Sequence, residues 1–119
     1  MRGLRPRFVV VPDSPRLEVA VIMRNVFLVS YDVCDSKRLR LTHKKLCGFG
    51  TALQYSVFRC ELNPLQLHAL KEQLWSILNM DEDRVMVVDL GPAGARGDDC
   101  VEFWGTSRLE KVARTAVIV

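Results

Sequence analysis

Residues Val26 to Asp35 read V-F-L-V-S-Y-D-V-C-D. The run from Val26 to Tyr31 is apolar, β-branched and aromatic, and long enough for one strand. It delivers Asp32 where the run ends. Three residues later, Asp35 is placed to cap a helix whose first turns carry Lys37, Arg38 and Arg40. An acidic side chain at a strand end beside a basic helix start is a common means of holding a metal ion and a phosphate together. Asp32 is therefore the first candidate for a catalytic, metal-binding residue.

Outward from this stretch, the pattern from Asp35 to Phe49 is helical. At 100° per residue, Leu39, Thr42, His43, Leu46 and Phe49 share one face, and Lys37, Arg38, Arg40, Lys44 and Lys45 share the opposite one. Gly48 and Gly50 supply a stop. His43 borders the apolar arc and reads as a packed, uncharged histidine. Five positive charges with no acid among them favour a phosphate-facing surface over ordinary solvation.

Thr51 to Leu62 is a β region, in which alternation puts Leu53, Tyr55 and Val57 on one face and Gln54, Ser56, Phe58 and Cys60 on the other. Both faces are partly apolar, as expected where helices cover one and a second subunit covers the other. Asn63, Pro64 and Gln66 form a strong helix start. Leu67, Leu70, Leu74, Ile77 and Leu78 then supply the buried stripe of a helix over Pro64 to Leu78, with Trp75 at its edge. Asn79 to Asp83 reads as a solvated acidic turn. Val85 to Leu90 is a clear strand, Gly91 to Asp99 a flexible glycine-rich loop, and Val101 to Trp104 a further short strand closed by Gly105. The domain is expected over residues 23–105. Residues 1–22, rich in arginine and proline, form an atypical extension, either an arm or an added edge strand. Residues 106–119 form a linker ending in Val117, Ile118 and Val119.

With 119 residues, nearly half of them apolar, the chain is bounded to one folded domain with a modest core. A net charge of +3 is compatible with a nucleic-acid partner without establishing one. The four cysteines, at 34, 47, 60 and 100, include no C-x-x-C pair, which points to buried free thiols in a reducing cytosol. No run approaches transmembrane length, so no membrane association is expected.

The order strand, helix, β region, helix, strand makes an α/β sandwich. A bend near Tyr55 that splits Thr51–Leu62 into two strands turns this into the ferredoxin-like β-α-β-β-α-β unit of the α+β class. That unit carries enzymes, RNA binders and metal chaperones alike. The paired-cysteine loop of the chaperones is missing, and F-L-V-S-Y-D does not match the aromatic signature of RNA-recognition modules.

Three pieces taken together, Y-D-V-C-D-S-K-R-L at 31–39, G-F-G at 48–50 and Q-Y-S-V-F-R-C-E-L at 54–62, resemble the small CRISPR-associated adaptation protein. This is the second of the two widespread spacer-acquisition proteins, also described as the CRISPR-associated endoribonuclease family. The resemblance covers roughly residues 23 to 119. The chain departs from the family pattern at Ala52 and Leu53, where many relatives carry an arginine, and in its first 22 residues.

The resemblance implies a cytoplasmic, prokaryotic, ferredoxin-like homodimer with an added C-terminal strand that joins the partner's sheet. It implies a metal-associated aspartate at Asp32, with Mg2+ shared across the dimer, and a basic pair at Arg38 and Arg40. It also implies supporting or interface roles for Tyr31, Ser56, Phe58, Val117, Ile118 and Val119. Lys37, Arg38, Arg40, Lys44 and Lys45 form the expected nucleic-acid surface. The implied function is a CRISPR adaptation subunit, a double-stranded-DNA-binding scaffold for the adaptation integrase subunits. Magnesium-dependent phosphodiester cleavage at Asp32, on DNA or on single-stranded RNA, is an associated activity. Two alternatives stand beside it: a stand-alone, toxin-like or RNA-processing nuclease, and a non-catalytic nucleic-acid-binding structural protein.

Three β-branched residues at the end of a charged segment are too few to pack alone. The eleven or so residues from Thr106 to Ala116 span roughly 35 Å when extended, enough to cross a small dimer face. Truncation after Ala116 is expected to shift the protein from dimer toward monomer or aggregate in sedimentation at low concentration. An equally stable truncated dimer removes the exchange reading.

Overall fold

The computed structural model describes residues 23–106. Strand β1 (Asn25–Asp32) is followed by helix α1 (Ser36–Cys47), the hairpin strands β2 (Gly50–Gln54) and β3 (Val57–Leu62), helix α2 (Pro64–Trp75), strand β4 (Arg84–Pro92) and a short helical turn, α3 (Arg96–Asp99). The four strands form one antiparallel sheet in the order β2-β3-β1-β4. This is the expected ferredoxin-like arrangement. Tyr55 and Ser56 make the bend that divides the β region, and Ser56 takes the left-handed conformation, φ 65°, that so tight a turn requires.

Both helices begin where their caps dictate. The Asp35 side chain accepts from the Arg38 backbone N–H at 2.9 Å. Asn63 and Gln66 make a reciprocal capping box, at 2.8 and 2.9 Å, with Pro64 in the first turn. Helix α2 stops short of the expected Leu78. The Ser76 hydroxyl donates to the Gln73 carbonyl at 2.7 Å and so takes a last-turn acceptor, and the chain turns away through Ile77.

Strand alternation sorts the sheet into two unlike faces. Phe27, Val29 and Tyr31 of β1 join Phe58, Cys60 and Leu62 of β3 under the helices, where Leu46, Leu70 and Leu74 close the core. Gly50 begins β2 so close to β3 that a Cβ there would collide with the Arg59 carbonyl and lie 2.6 Å from the Cys60 sulfur. The opposite face carries Leu28, Ser30 and Asp32 of β1 beside Val88, Met86 and Arg84 of β4. Met86 is 53% exposed there and Val88 38%.

Several expectations are corrected. Gly91 to Asp99 is an ordered segment: Gly91 and Pro92 complete β4, and α3 seats Gly97 where a Cβ would lie 2.8 Å from the Val26 side chain. That contact explains why Val26, on the otherwise open face, is fully buried. Val101 to Trp104 is not a strand. It lies outside the four-stranded sheet, and a strand has no stability without a ladder to join; Trp104 is left 88% exposed. Of the four free thiols only Cys60 is buried, because only Cys60 falls on a core-facing strand position. Burial pushes its thiol up to about 11. Trp75 is more exposed than a core-edge residue and is covered by Lys71, whose Nζ stands 4.6 Å from the ring centre. The expectations for residues 1–22 and for the linker and terminal strand lie outside the described residues.

Phe58 is fully buried at the centre of this core. Phe58→Ala is expected to cost about 3–5 kcal/mol, read from urea unfolding. A loss under about 1 kcal/mol would mean that the helices do not depend on the β3 contact.

Candidate nucleic-acid interface

Asp32 is the last residue of β1 and is exposed. Since Tyr31 points into the core, alternation turns Asp32 to the open face. The two residues that follow lead into the α1 cap, and this loop is held from across the sheet by Asp83.

The Asp83 side chain is fully inaccessible, and both of its oxygens are used twice. Oδ1 accepts from the Cys34 backbone N–H at 3.0 Å and from Arg38 Nη2 at 3.1 Å. Oδ2 accepts from Arg38 Nε at 2.7 Å and from the Asn79 backbone N–H at 2.9 Å. One carboxylate thus joins the β1–α1 loop, the first turn of α1 and the turn before β4. The Arg38 guanidinium, helped by the backbone N–H groups, holds the Asp83 carboxyl well below the usual carboxylate range; the pairing raises Arg38 in turn. The acidic turn is therefore solvated only at Asp81 and Glu82, while its last member is buried.

This arrangement changes the reading of the basic helix. Arg38, expected to face phosphate, spends its guanidinium on Asp83 and on Glu82, the latter at 3.0 Å. Lys37, Arg40 and Lys44 are exposed and Lys45 is half-buried. None of the four is ion-paired to a carboxylate among the described residues. Lys37, Arg40 and Lys44 follow i, i+3, i+7 spacing and form one line along the helix. Like charges at such spacing cost a few tenths of a kcal/mol, a cost that a polyanion removes.

Tyr31, Ser56 and Phe58 do converge. The Ser56 carbonyl accepts from the Tyr31 backbone N–H at 3.1 Å, and the Tyr31 and Phe58 ring centres lie 6.2 Å apart. The Tyr31 hydroxyl meets His43 Nδ1 at 3.1 Å, and His43 stands edge-on to Phe58 at 5.2 Å. Burial and the neighbouring Cys47 raise the Tyr31 phenol, against a smaller lowering by Ser56. His43 packs as expected, though its ring remains exposed. Val117, Ile118 and Val119 lie outside the described residues.

The donor set for a divalent cation is small. Among the described residues no three His, Cys, Asp or Glu side chains gather into a metal-holding group. Asp35 serves as a helix cap, and Asp83 has no lone pair to spare. Asp32 remains. Mg2+ commonly takes one or two carboxylates and fills its shell with water and phosphate oxygens. Asp32 fits as one such ligand and does not make a complete site within the chain.

The fold and this loop define a ferredoxin-like protein with a single acidic strand end and a basic first helix. Residues 24–96 match the family model described as CRISPR associated protein Cas2. The CRISPR-associated endoribonuclease Cas2 of Geobacter sulfurreducens is 39% identical over 71 residues, which are 60% of this chain and 75% of that protein. The endoribonuclease Cas2 1 of Rhodospirillum rubrum is 36% identical over 95 residues, 80% of this chain and 91% of that protein. Among solved structures, Streptococcus pyogenes Cas2 superposes with a TM-score of 0.60 at 30% identity, covering 67% of this chain and 99% of that one. A hypothetical protein from Thermus thermophilus gives a TM-score of 0.60 at 25% identity, covering 71% of this chain and 94% of that one. The chain belongs to the Cas2 family.

No helix among the described residues is long and apolar enough to cross a membrane. Sequence reasoning missed Asp83. The signal was present in the aspartate just ahead of the β4 strand, but pairing it with Arg38, 45 residues away, needs the sheet register.

Asp83 titrates below its ordinary value in the folded protein, so its clamp stabilises fully at neutral pH. That contribution drains away as pH falls below the ordinary aspartate value of about 4. Asp83→Asn is expected to lower the melting temperature at pH 7 by roughly 5 °C or more and to flatten the acid limb of its pH dependence. Parallel acid limbs for the two proteins, measured by circular dichroism, would show that the clamp carries no such linkage.

Proposed function

We propose that this Cas2-family chain is a CRISPR adaptation subunit, a homodimeric scaffold that binds double-stranded DNA and joins the adaptation integrase subunits. The observation that carries the reading is the set of cations on α1, Lys37, Arg40, Lys44 and Lys45, that no carboxylate among the described residues pairs, on a helix without a single acid. Side chains of this kind contact phosphates and read no bases, which suits a protein that must accept fragments of any sequence. The exposed apolar residues of the open face, Met86 and Val88 with Leu28 beside them, favour a second copy as its cover. The same stacking would bring two Asp32 carboxylates into one assembly.

In this reading Mg2+ would be held by Asp32 and its counterpart on the second copy. When bound, it would neutralise phosphate charge and activate water for phosphodiester hydrolysis. Arg38 serves here by fixing the loop that follows Asp32. Scaffolding is the primary role and cleavage the secondary one, because Asp32 is a single carboxylate at its strand end, whereas α1 offers several cations that no carboxylate among the described residues pairs.

Neutralising Lys37, Arg40, Lys44 and Lys45 to Gln is expected to weaken binding to unrelated duplexes alike. The slope of log affinity against log salt should fall by about three to four, near one per lost contact. Unchanged affinity and slope would place DNA elsewhere. Asp32→Asn should abolish magnesium-dependent cleavage, while co-purification with the integrase and fragment integration largely survive. Loss of integration in a folded, dimeric D32N protein would instead make Asp32 chemistry essential.

A further inference from the structure

On the open face, the residue directly across from Asp32 is Arg84: the two are register partners at the ends of β1 and β4. Directly opposed side chains on neighbouring strands have Cβ atoms about 4.5–5.5 Å apart and project to the same side. Both residues are exposed, and neither is ion-paired among the described residues. The other arginine that the register turns to this face, Arg59, is occupied by Asp98 at 3.0 Å and by Glu61 at 3.7 Å. Arg38 is occupied by Asp83. Arg84 is therefore the guanidinium available beside the Asp32 carboxylate.

Its position is also fixed in advance. Arg84 follows Asp83 directly, and Asp83 holds the backbone N–H of Cys34, two residues beyond Asp32. The same buried carboxylate thus anchors the strand end that presents the acid and the strand start that presents the base. An arginine whose backbone is anchored in this way loses less freedom on binding a phosphate than one at the tip of an untethered loop.

We propose that Arg84 and Asp32 form one phosphodiester site, in which the Arg84 fork donates to the non-bridging oxygens of a nucleic-acid phosphate set beside the Asp32 carboxylate. This rests on the reading of the chain as a nucleic-acid-binding protein, and extends it from the α1 surface to the open face. Arginine suits the role because its planar donors match two phosphate oxygens at once. Without a cation, Asp32 would repel the phosphate; Arg84 or a metal ion must offset that repulsion.

The test uses the full-length protein, two short duplexes of unrelated sequence and a single-stranded RNA of matched length, with affinity measured by fluorescence anisotropy across a salt series. Arg84→Gln should weaken binding of at least one of these nucleic acids roughly tenfold and reduce its salt slope by about one for each Arg84 engaged. Arg84→Lys should restore the slope, since the charge remains, but only part of the affinity. Sedimentation and melting controls establish that the variants keep the wild-type oligomer and fold. An R84Q protein with wild-type slopes, alongside an α1-neutralised protein that has lost binding, overturns the Arg84 site and leaves the DNA-scaffold reading standing. The converse, a reduced slope in R84Q with no effect of α1 neutralisation, supports the site and moves the binding surface off α1. An R84Q protein that dissociates into monomers while keeping its salt slopes also overturns the proposal, since Arg84 is then a subunit contact.

Discussion

The ion pair between Asp83 and Arg38 is the constraint on which the Asp32 end of the molecule depends. A carboxylate with all four lone pairs engaged and no solvent contact has one stable position. Three chain segments must meet there, because a buried charge with any donor missing would be strongly unfavourable. The β1–α1 loop that follows Asp32 gains its geometry from this meeting, not from its own sequence. The pair also removes Arg38 from the positive surface of α1, so the helix contributes charge through the residues on either side of it.

The two faces of the sheet divide the chemistry. Helices cover the core face, and the outer side of α1 carries the cations suited to a polyanion. The open face carries Asp32, Arg84 and a patch of apolar side chains. A Cas2-family chain of this form offers a basic exterior and, on the reverse, an apolar surface with charged residues at one end. The apolar patch and the Asp32–Arg84 pair of register partners are therefore neighbours on the open face, and a change there bears on both.

Much of the fold was legible in the sequence because it rests on local signals. Asp35 and Asn63 announce their helices through side-chain oxygens that reach backbone N–H groups three residues on. The run Val26–Tyr31 marks a strand by composition, but alternation over Leu53–Cys60 leaves both faces partly apolar, and that Phe58 and Cys60 meet the helices follows only from the fold. What escaped depends on contacts distant in sequence. The burial of Asp83 needs Arg38, and the order of the glycine-rich segment needs Val26, against which Gly97 packs. Cysteine composition suggests buried thiols, but burial is decided position by position, and Cys34, Cys47 and Cys100 fall on a loop, a helix end and the residue after α3. Val101–Trp104 has strand composition without a strand's partner. Asp32 was legible as a strand-end acid, whereas the cation opposite it follows only from the β1–β4 register.

The distribution of thiols makes the protein chemically addressable. Cys60 is shielded and poorly ionised, so a thiol-directed dye will leave it untouched while the fold is intact. The three accessible sulfurs stand at separate landmarks: the loop beyond Asp32, the end of the basic helix and the exit from α3. Versions that keep Cys60 and one of these at a time would give optical reporters at those landmarks without any engineered insertion. Labelling of Cys60 would then serve as an internal alarm for unfolding.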